Sequence, residues 1–163
     1  MQHMLIALLV LFCGAVQAQE QMLTLQTRPS VTLRLLLLEA QGKAQASLIL
    51  FTGGEGVLRL GDDGQLHAGA GNFLVRTRQQ WAAQGFQVAV VDAPSDHADN
   101  LNQGDFRSSA EHAQDIALVI AQLRQRAAVP VWLVGTSRGT TSAAPPRRQP
   151  WPYACRTRWT VWC

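Results

Sequence analysis

Apolar runs that alternate with polar segments divide the chain into candidate strands and helices. Leu23, Leu25 and Thr27 alternate with polar neighbours within 22–28, and 31–39 includes a continuous apolar run from Leu35 to Leu38, which predicts two strands joined at Pro29-Ser30. Three shorter runs are almost wholly apolar, as in strands buried on both faces of a parallel sheet: Ala46–Phe51, Phe86–Val91 and 131–134.

Two of the remaining segments have helical periodicity. Asn72 is placed to cap a helix that runs to about Gln84, and Gly85 follows where a left-handed residue commonly ends a helix. Ser108 and Glu111 form a capping box at the start of a second helix. That helix carries its apolar residues on one face: Ala113, Ile116, Ala117, Ile120 and Leu123. The order of elements predicts an α/β fold, a mostly parallel sheet with helices on both faces and antiparallel strands at its start.

The last apolar run leads into Gly135-Thr136-Ser137-Arg138-Gly139, a serine between two glycines. A strand that reverses this sharply into a helix leaves no room for side chains beside the serine, which explains Gly135 and Gly139. Such a turn lifts the Ser137 hydroxyl clear of the sheet, where it can act as a nucleophile. The alternative is an ordinary strand-to-helix turn in which the serine only caps the helix.

Serine attack on a carbonyl also needs N–H donors at the point where the oxygen becomes negative. The main-chain N–H of Arg138 directly follows the serine. The N–H of Gly54 lies on a glycine-rich loop, 52–56, at the same edge of the predicted sheet. These two N–H groups are the candidate oxyanion-hole donors. A phosphate or dinucleotide cradle is the alternative for this loop, but the third glycine of that motif is missing and no helix is predicted to follow.

Nothing in the sequence predicts a cofactor or a metal. The phosphate-binding motif Gly-x-x-x-x-Gly-Lys-Ser/Thr does not occur. The three cysteines are Cys13, Cys155 and Cys163, so the long segment between the first two can form neither a cysteine metal site nor a disulfide framework.

These motifs resemble the α/β-hydrolase fold family. Phe51-Thr52-Gly53-Gly54-Glu55-Gly56 resembles its oxyanion loop after the third strand, and the Ser137 turn resembles its nucleophile elbow after the fifth. Two further segments, Asn72-Phe73-Leu74-Val75-Arg76-Thr77-Arg78 and Val90-Val91-Asp92-Ala93-Pro94-Ser95-Asp96, are similar to a group of exported bacterial hydrolases of undefined substrate. The resemblance covers about residues 20–144. It implies serine attack on an ester or similar acyl bond of a small molecule, through an acyl-enzyme.

The sequence departs from this family after the serine. The family order is serine, acid and histidine, but no Asp, Glu or His follows Ser137. We therefore expect the C-terminal strands and helices of the fold to be missing, through truncation or a frameshift, and the chain to be inactive. His97 on the 93–107 loop, with Asp96 or Asp99 behind it, is a weak alternative base, whereas His112 is expected to be a surface or packing residue. The other functional hypothesis is a non-catalytic exported binding domain on a hydrolase scaffold.

The two ends of the chain differ from its body. Residues 1–18 have the apolar run and small-residue cleavage site of a signal peptide, which predicts export to a periplasm or beyond and no stable membrane span after cleavage. Residues 19–144 form the hydrolase-like domain. Residues 145–163 hold four arginines, four of the seven prolines and no acid, a composition that suggests an out-of-frame tail. Because the net charge of +3 comes from this tail, it is no sign of a nucleic-acid surface on the body, and we expect no nucleic-acid partner.

Overall fold

Five strands form one open sheet in the computed structural model, which describes residues 17–144. The strands are β1 (Glu20–Arg28), β2 (Val31–Leu38), β3 (Ala46–Phe51), β4 (Phe86–Val91) and β5 (Val131–Gly135), in the spatial order β1-β2-β4-β3-β5. β3 is parallel to both β4 and β5, while β2 pairs antiparallel with β1 and β4. The predicted α/β fold class is therefore confirmed. Residues 1–16 of the predicted signal peptide and the tail 145–163 lie outside the described residues.

In the described part of the chain, four helices connect and cover these strands: α1 (Phe73–Arg76), α2 (Arg78–Ala83), α3 (Ala110–Arg126) and α4 (Gly139–Ala143). Two 3-10 turns, Ser95–His97 and Gln103–Ser108, lie in the loop between β4 and α3. Among residues 17–144, no helix is long and apolar enough to cross a bilayer.

The predicted helix after Asn72 is two helices in the structure. Asn72 caps it as expected, since its side-chain oxygen accepts from the N–H of Leu74 at 3.0 Å, and Gly85 follows at φ +84°. The break lies at Thr77, whose backbone is not helical. Its Oγ1 donates to the Phe73 carbonyl at 2.7 Å, a local bond that competes with continuous helix.

The predicted capping box at Ser108 is wrong by one residue. Ser109 has the extended backbone of an N-cap, and its Oγ accepts from the N–H of His112 at 3.1 Å. Ser108 still belongs to the preceding 3-10 turn and donates its hydroxyl proton to the Asp105 carbonyl. Of two adjacent serines, the backbone conformation decides which one caps the helix.

The sheet buries side chains on both faces because its strand residues point alternately up and down. One face packs under α3 and α4, and the core between them includes Leu35, Ile49, Ile116, Leu123 and Ala143. The other face packs under α1 and α2, and the core between them includes Leu36, Leu50, Leu74, Ala82 and Val90. The apolar face predicted for α3 is confirmed, with Ile120 only partly buried. Strand register aligns Leu50 with Val90 and Phe51 with Gly135, so the loops after β3, β4 and β5 meet at one edge.

Candidate functional site

The Ser137 turn stands at the end of β5 with its serine exposed. Ser137 has a φ of +51°, a left-handed conformation that non-glycine residues seldom adopt. Main-chain bonds brace it on both sides: the N–H of Gly139 donates to the Thr136 carbonyl at 2.8 Å, and that of Thr140 donates to the Ser137 carbonyl at 3.0 Å. A strained serine between a strand and a helix is the geometry of a nucleophile elbow.

The two glycines beside the serine are required by backbone contacts. A Cβ at Gly139 would collide with the carbonyl oxygen of Phe51 at the end of β3. A Cβ at Gly135 would collide with the carbonyl of Gly139 itself. The turn is therefore pressed against the main chain of β3, which leaves room for no larger residue at either position.

The loop that follows β3 runs directly beside the serine. A Cβ on Gly53 would lie 3.0 Å from the Thr136 carbonyl oxygen and 3.1 Å from Ser137 Cβ. Gly54 is exposed with a φ of +61° and has open space around it. Within residues 17–144, the N–H groups of Gly54 and Arg138 have no backbone acceptor. The structure thus brings the loop predicted to carry an oxyanion donor next to the predicted nucleophile.

Arg107 is a buried cation at this site that the sequence did not reveal. Its Nη2 donates to the carbonyls of Thr52 at 3.2 Å and Gly54 at 3.4 Å, its Nη1 donates to Ser142 Oγ at 2.9 Å, and its Nε donates to Asn102 Oδ1 at 2.7 Å. Burial, aided by the charge of Arg138, lowers the pKa of Arg107 to about 10, so it stays charged at neutral pH. Its position at the end of a polar loop gave no signal of this role.

Asp92, at the end of β4, organises the neighbouring loop. Its Oδ1 accepts from the N–H groups of Leu58 at 2.7 Å and Ala93 at 2.8 Å, and its Oδ2 accepts from the N–H of Leu60 at 2.9 Å. With three main-chain donors on one buried carboxylate, Asp92 fixes residues 57–60 to the sheet edge.

His97 and its predicted acidic partners are engaged with other groups. The His97 ring stacks on Phe106 with 3.8 Å between centroids. Asp96 instead accepts hydrogen bonds from both Nη atoms of Arg28, at 2.8 and 3.0 Å. Partial burial acts to raise the pKa of Asp96, but the hydrogen bond and charge of Arg28 outweigh it, and the net shift is downward. Asp99 lies 4.0 Å from Arg59. No hydrogen bond of the described residues joins His97 to Ser137.

His112 is a packing residue. Its ring is buried between Phe51 and Phe106, with centroids 6.1 and 5.3 Å away, and neither ring nitrogen has a partner within the described chain. Burial lowers the pKa of His112 to about 3, with smaller contributions from Arg107, His97 and Arg28. Residues 17–144 also contain no group of three or more His, Cys, Asp or Glu side chains that could hold a metal ion.

Comparison with known proteins gives matches in structure only. No family description and no curated protein matches the sequence. A cold-adapted esterase from an Arctic intertidal metagenomic library matches with a TM-score of 0.56 and 15% identity, over 78% of this chain and 54% of that one. An acylaminoacyl peptidase of Pyrococcus horikoshii matches with a TM-score of 0.57 and 12% identity, over 80% and 21% of the two chains.

A third match is an esterase of Pyrococcus furiosus, with a TM-score of 0.53, 13% identity, and coverage of 77% of this chain and 45% of that one. The chain thus spans about half of the length of these proteins, or less. All three have the α/β-hydrolase fold. The chain has the α/β-hydrolase fold as well, over part of its length, as its motifs predicted.

Proposed function

We propose that the site is that of a serine hydrolase which cleaves an ester or similar acyl bond of a small molecule. The observation that carries this proposal is Ser137, exposed at φ +51° on a strand–turn–helix with Gly53 packed against it. Ser137 Oγ attacks the acyl carbon, the bond to the leaving alcohol breaks, and the hydroxyl proton passes to that alcohol. Water then hydrolyses the acyl-enzyme and restores the serine.

The N–H groups of Gly54 and Arg138 are the proposed oxyanion donors. Arg138 directly follows Ser137, and Gly54 follows Gly53, which packs against Ser137; neither N–H is used by a backbone acceptor in the described chain. Donors that are already fixed in place stabilise the negative oxygen without reorganising during the reaction. The esterases and peptidase that share the fold support this chemistry by analogy.

We expect this chain to acylate slowly. Its sequence contains no Asp, Glu or His after Ser137, His112 is held neutral in the core, and His97 is stacked on Phe106. An elbow and an oxyanion hole without a triad base retain only part of the rate enhancement. The same observations favour the second candidate function, a non-catalytic binding domain on this scaffold.

Labelling with a fluorophosphonate separates the two functions. We expect the full chain to gain one phosphonyl adduct on Ser137, measured by intact mass and peptide mapping. Ser137→Ala should abolish the adduct, while Ser108→Ala, which removes another exposed hydroxyl, should leave the labelling rate unchanged. A folded protein that gains no adduct would support the binding domain.

We also propose that the protein is exported and cleaved after Ala18. The support is the apolar run of residues 1–18 and the small residues that precede the proposed cut. Cleavage there would remove Ala18, whose carbonyl accepts from Gln79 Nε2 at 3.1 Å in the full chain. Expression of the full chain followed by amino-terminal sequencing should give a mature protein that starts at Gln19. An uncleaved chain in the cytoplasm would contradict export.

A further inference from the structure

Arg107 is held by four neutral oxygens. Only 5% of its surface is exposed, and within the described chain no carboxylate pairs with it. Burying a charge without a counter-ion costs free energy, which here only the hydrogen bonds to oxygen offset. Such an arrangement makes the positions of those oxygens depend closely on the guanidinium.

Two of the four oxygens flank the proposed oxyanion donor. The carbonyls of Thr52 and Gly54 belong to the peptide units on either side of the Gly53–Gly54 unit, which carries the Gly54 N–H. Asn102 adds a third link, because its Nδ2 also donates to the Gly54 carbonyl at 2.9 Å while its Oδ1 accepts from Arg107. The loop is therefore bound from one side by a single side chain and its partner.

The remaining bond ties the loop to the nucleophile elbow. Arg107 Nη1 donates to Ser142, which lies on α4 immediately after the turn that carries Ser137 and Arg138. One planar guanidinium thus contacts both the loop with one proposed oxyanion donor and the helix that follows the other. Its rigid fork fixes several acceptors at once, which the single ammonium of a lysine does not do.

We propose that Arg107 is a positioning residue that sets the 52–56 loop against the Ser137 turn, so that the N–H groups of Gly54 and Arg138 converge on one oxygen. This proposal rests on the hydrolase function proposed above. Arg107 does not touch the reacting atoms. Its charge also polarises the peptide units that it binds, which strengthens the network around the loop.

Hydrogen exchange tests the positioning without requiring activity. Two amides report on the loop: Gly56 donates to the Gly53 carbonyl at 3.2 Å, and Leu101 donates to the Glu55 carbonyl at 2.8 Å. In Arg107→Met of the full chain, we expect exchange at these amides to rise by about 10-fold or more, with the β3 and β4 amides little changed. Arg78→Met is the control, since Arg78 is a partly buried arginine away from the site that donates to the main-chain carbonyl of Val75 and pairs with Glu20.

Fluorophosphonate labelling then tests the consequence for the serine. We expect Arg107→Met and Arg107→Lys to slow labelling of Ser137 by about 10- to 100-fold, because misplaced donors no longer stabilise the negative oxygen. Added guanidinium at low millimolar concentration should partly restore the labelling rate of Arg107→Ala but not that of Arg107→Lys. Arg78→Met should label at the wild-type rate.

Hydrogen exchange tests the positioning role and labelling tests the hydrolase function, so one can give a negative result without the other. If wild-type protein does not label, the hydrolase function fails, while the exchange data still test the positioning of the loop. The positioning role is overturned if loop exchange in Arg107→Met equals wild type. It is also overturned if the increase spreads evenly over the core, or if Arg107→Lys labels as fast as wild type.

Discussion

Two residues at the site hold backbone conformations that side chains disfavour. Ser137 keeps a φ of +51° although it is not glycine, and Gly54 keeps a φ of +61° on the facing loop. An L-residue in the left-handed region costs about 1–2 kcal/mol, so the surrounding contacts must impose the Ser137 conformation. At Gly54 the same conformation costs nothing extra, and the loop can turn its N–H outward.

Gly54→Ala should impair the site more than the fold. The added Cβ has free space, so we expect a loss of about 1 kcal/mol in unfolding free energy from backbone strain alone, and slower labelling of Ser137 as the loop relaxes. Gly42→Ala is the matched control, with a φ of +82° and equally open space in the turn between β2 and β3, outside the site. Urea unfolding and labelling kinetics measure both effects. Equal slowing in both variants would contradict a role for Gly54 in the site.

At the scale of elements, one ion-pair network joins the first strand to the longest helix. Arg28 on β1 donates from Nε and Nη2 to the fully buried carboxylate of Asp115 on α3, at 2.9 and 3.0 Å. It also pairs with Asp96 in the loop after β4. These bonds raise the pKa of Arg28, with the hydrogen bond to Asp115 as the main cause. The network fixes the position of α3 relative to β1.

Arg28→Met should be strongly destabilising. It leaves Asp115 buried without a counter-ion, and we expect a loss of about 3–5 kcal/mol in unfolding free energy. Arg126→Met is the control, because the Arg126–Glu39 pair is partly exposed and should contribute about 1 kcal/mol or less. Adding Asp115→Leu to Arg28→Met should recover much of the loss. If the double variant is no more stable than Arg28→Met, the buried charge is not the cause.

The sequence predicted the elements well where one pattern decides the outcome. β3 and β4 have the predicted bounds because each is an apolar run that ends at a polar residue, Thr52 and Asp92. It failed at Thr77 and Ser109, where a single side-chain hydrogen bond moves a helix boundary. The Ser137 turn was predictable because its chemistry is local. Arg107 was not, since three of its four partners lie 35 to 55 residues away, in two different segments.

At the scale of the whole molecule, acid should weaken the fold through His112. Its pKa is about 3 in the folded chain and about 6.5 when unfolded, so the unfolded chain binds the proton more readily between these values. The unfolding free energy therefore keeps its full contribution from neutral His112 above about pH 6.5, and loses it progressively as the pH drops towards 3. Between pH 7 and pH 5.5 we expect a loss of about 1 kcal/mol in unfolding free energy.

Thermal unfolding followed by circular dichroism measures this pH dependence. His112→Phe keeps an aromatic ring beside Phe51 and Phe106 and should flatten the dependence between pH 7 and pH 5.5. His67→Gln, at an exposed histidine, should leave it unchanged. If His112→Phe follows the wild-type curve, another group controls the acid sensitivity.

The contact of Gly139 with the Phe51 carbonyl has a consequence for how this chain can evolve. Because Gly139 approaches the main chain of β3 this closely, we expect Ser137 to keep its position whatever side chains stand at 136 and 138. Arg138 is exposed and Thr136 is partly so. Sequence drift at these two positions can therefore reshape the surroundings of Ser137, and with them the choice of ligand, while the hydroxyl stays where it is.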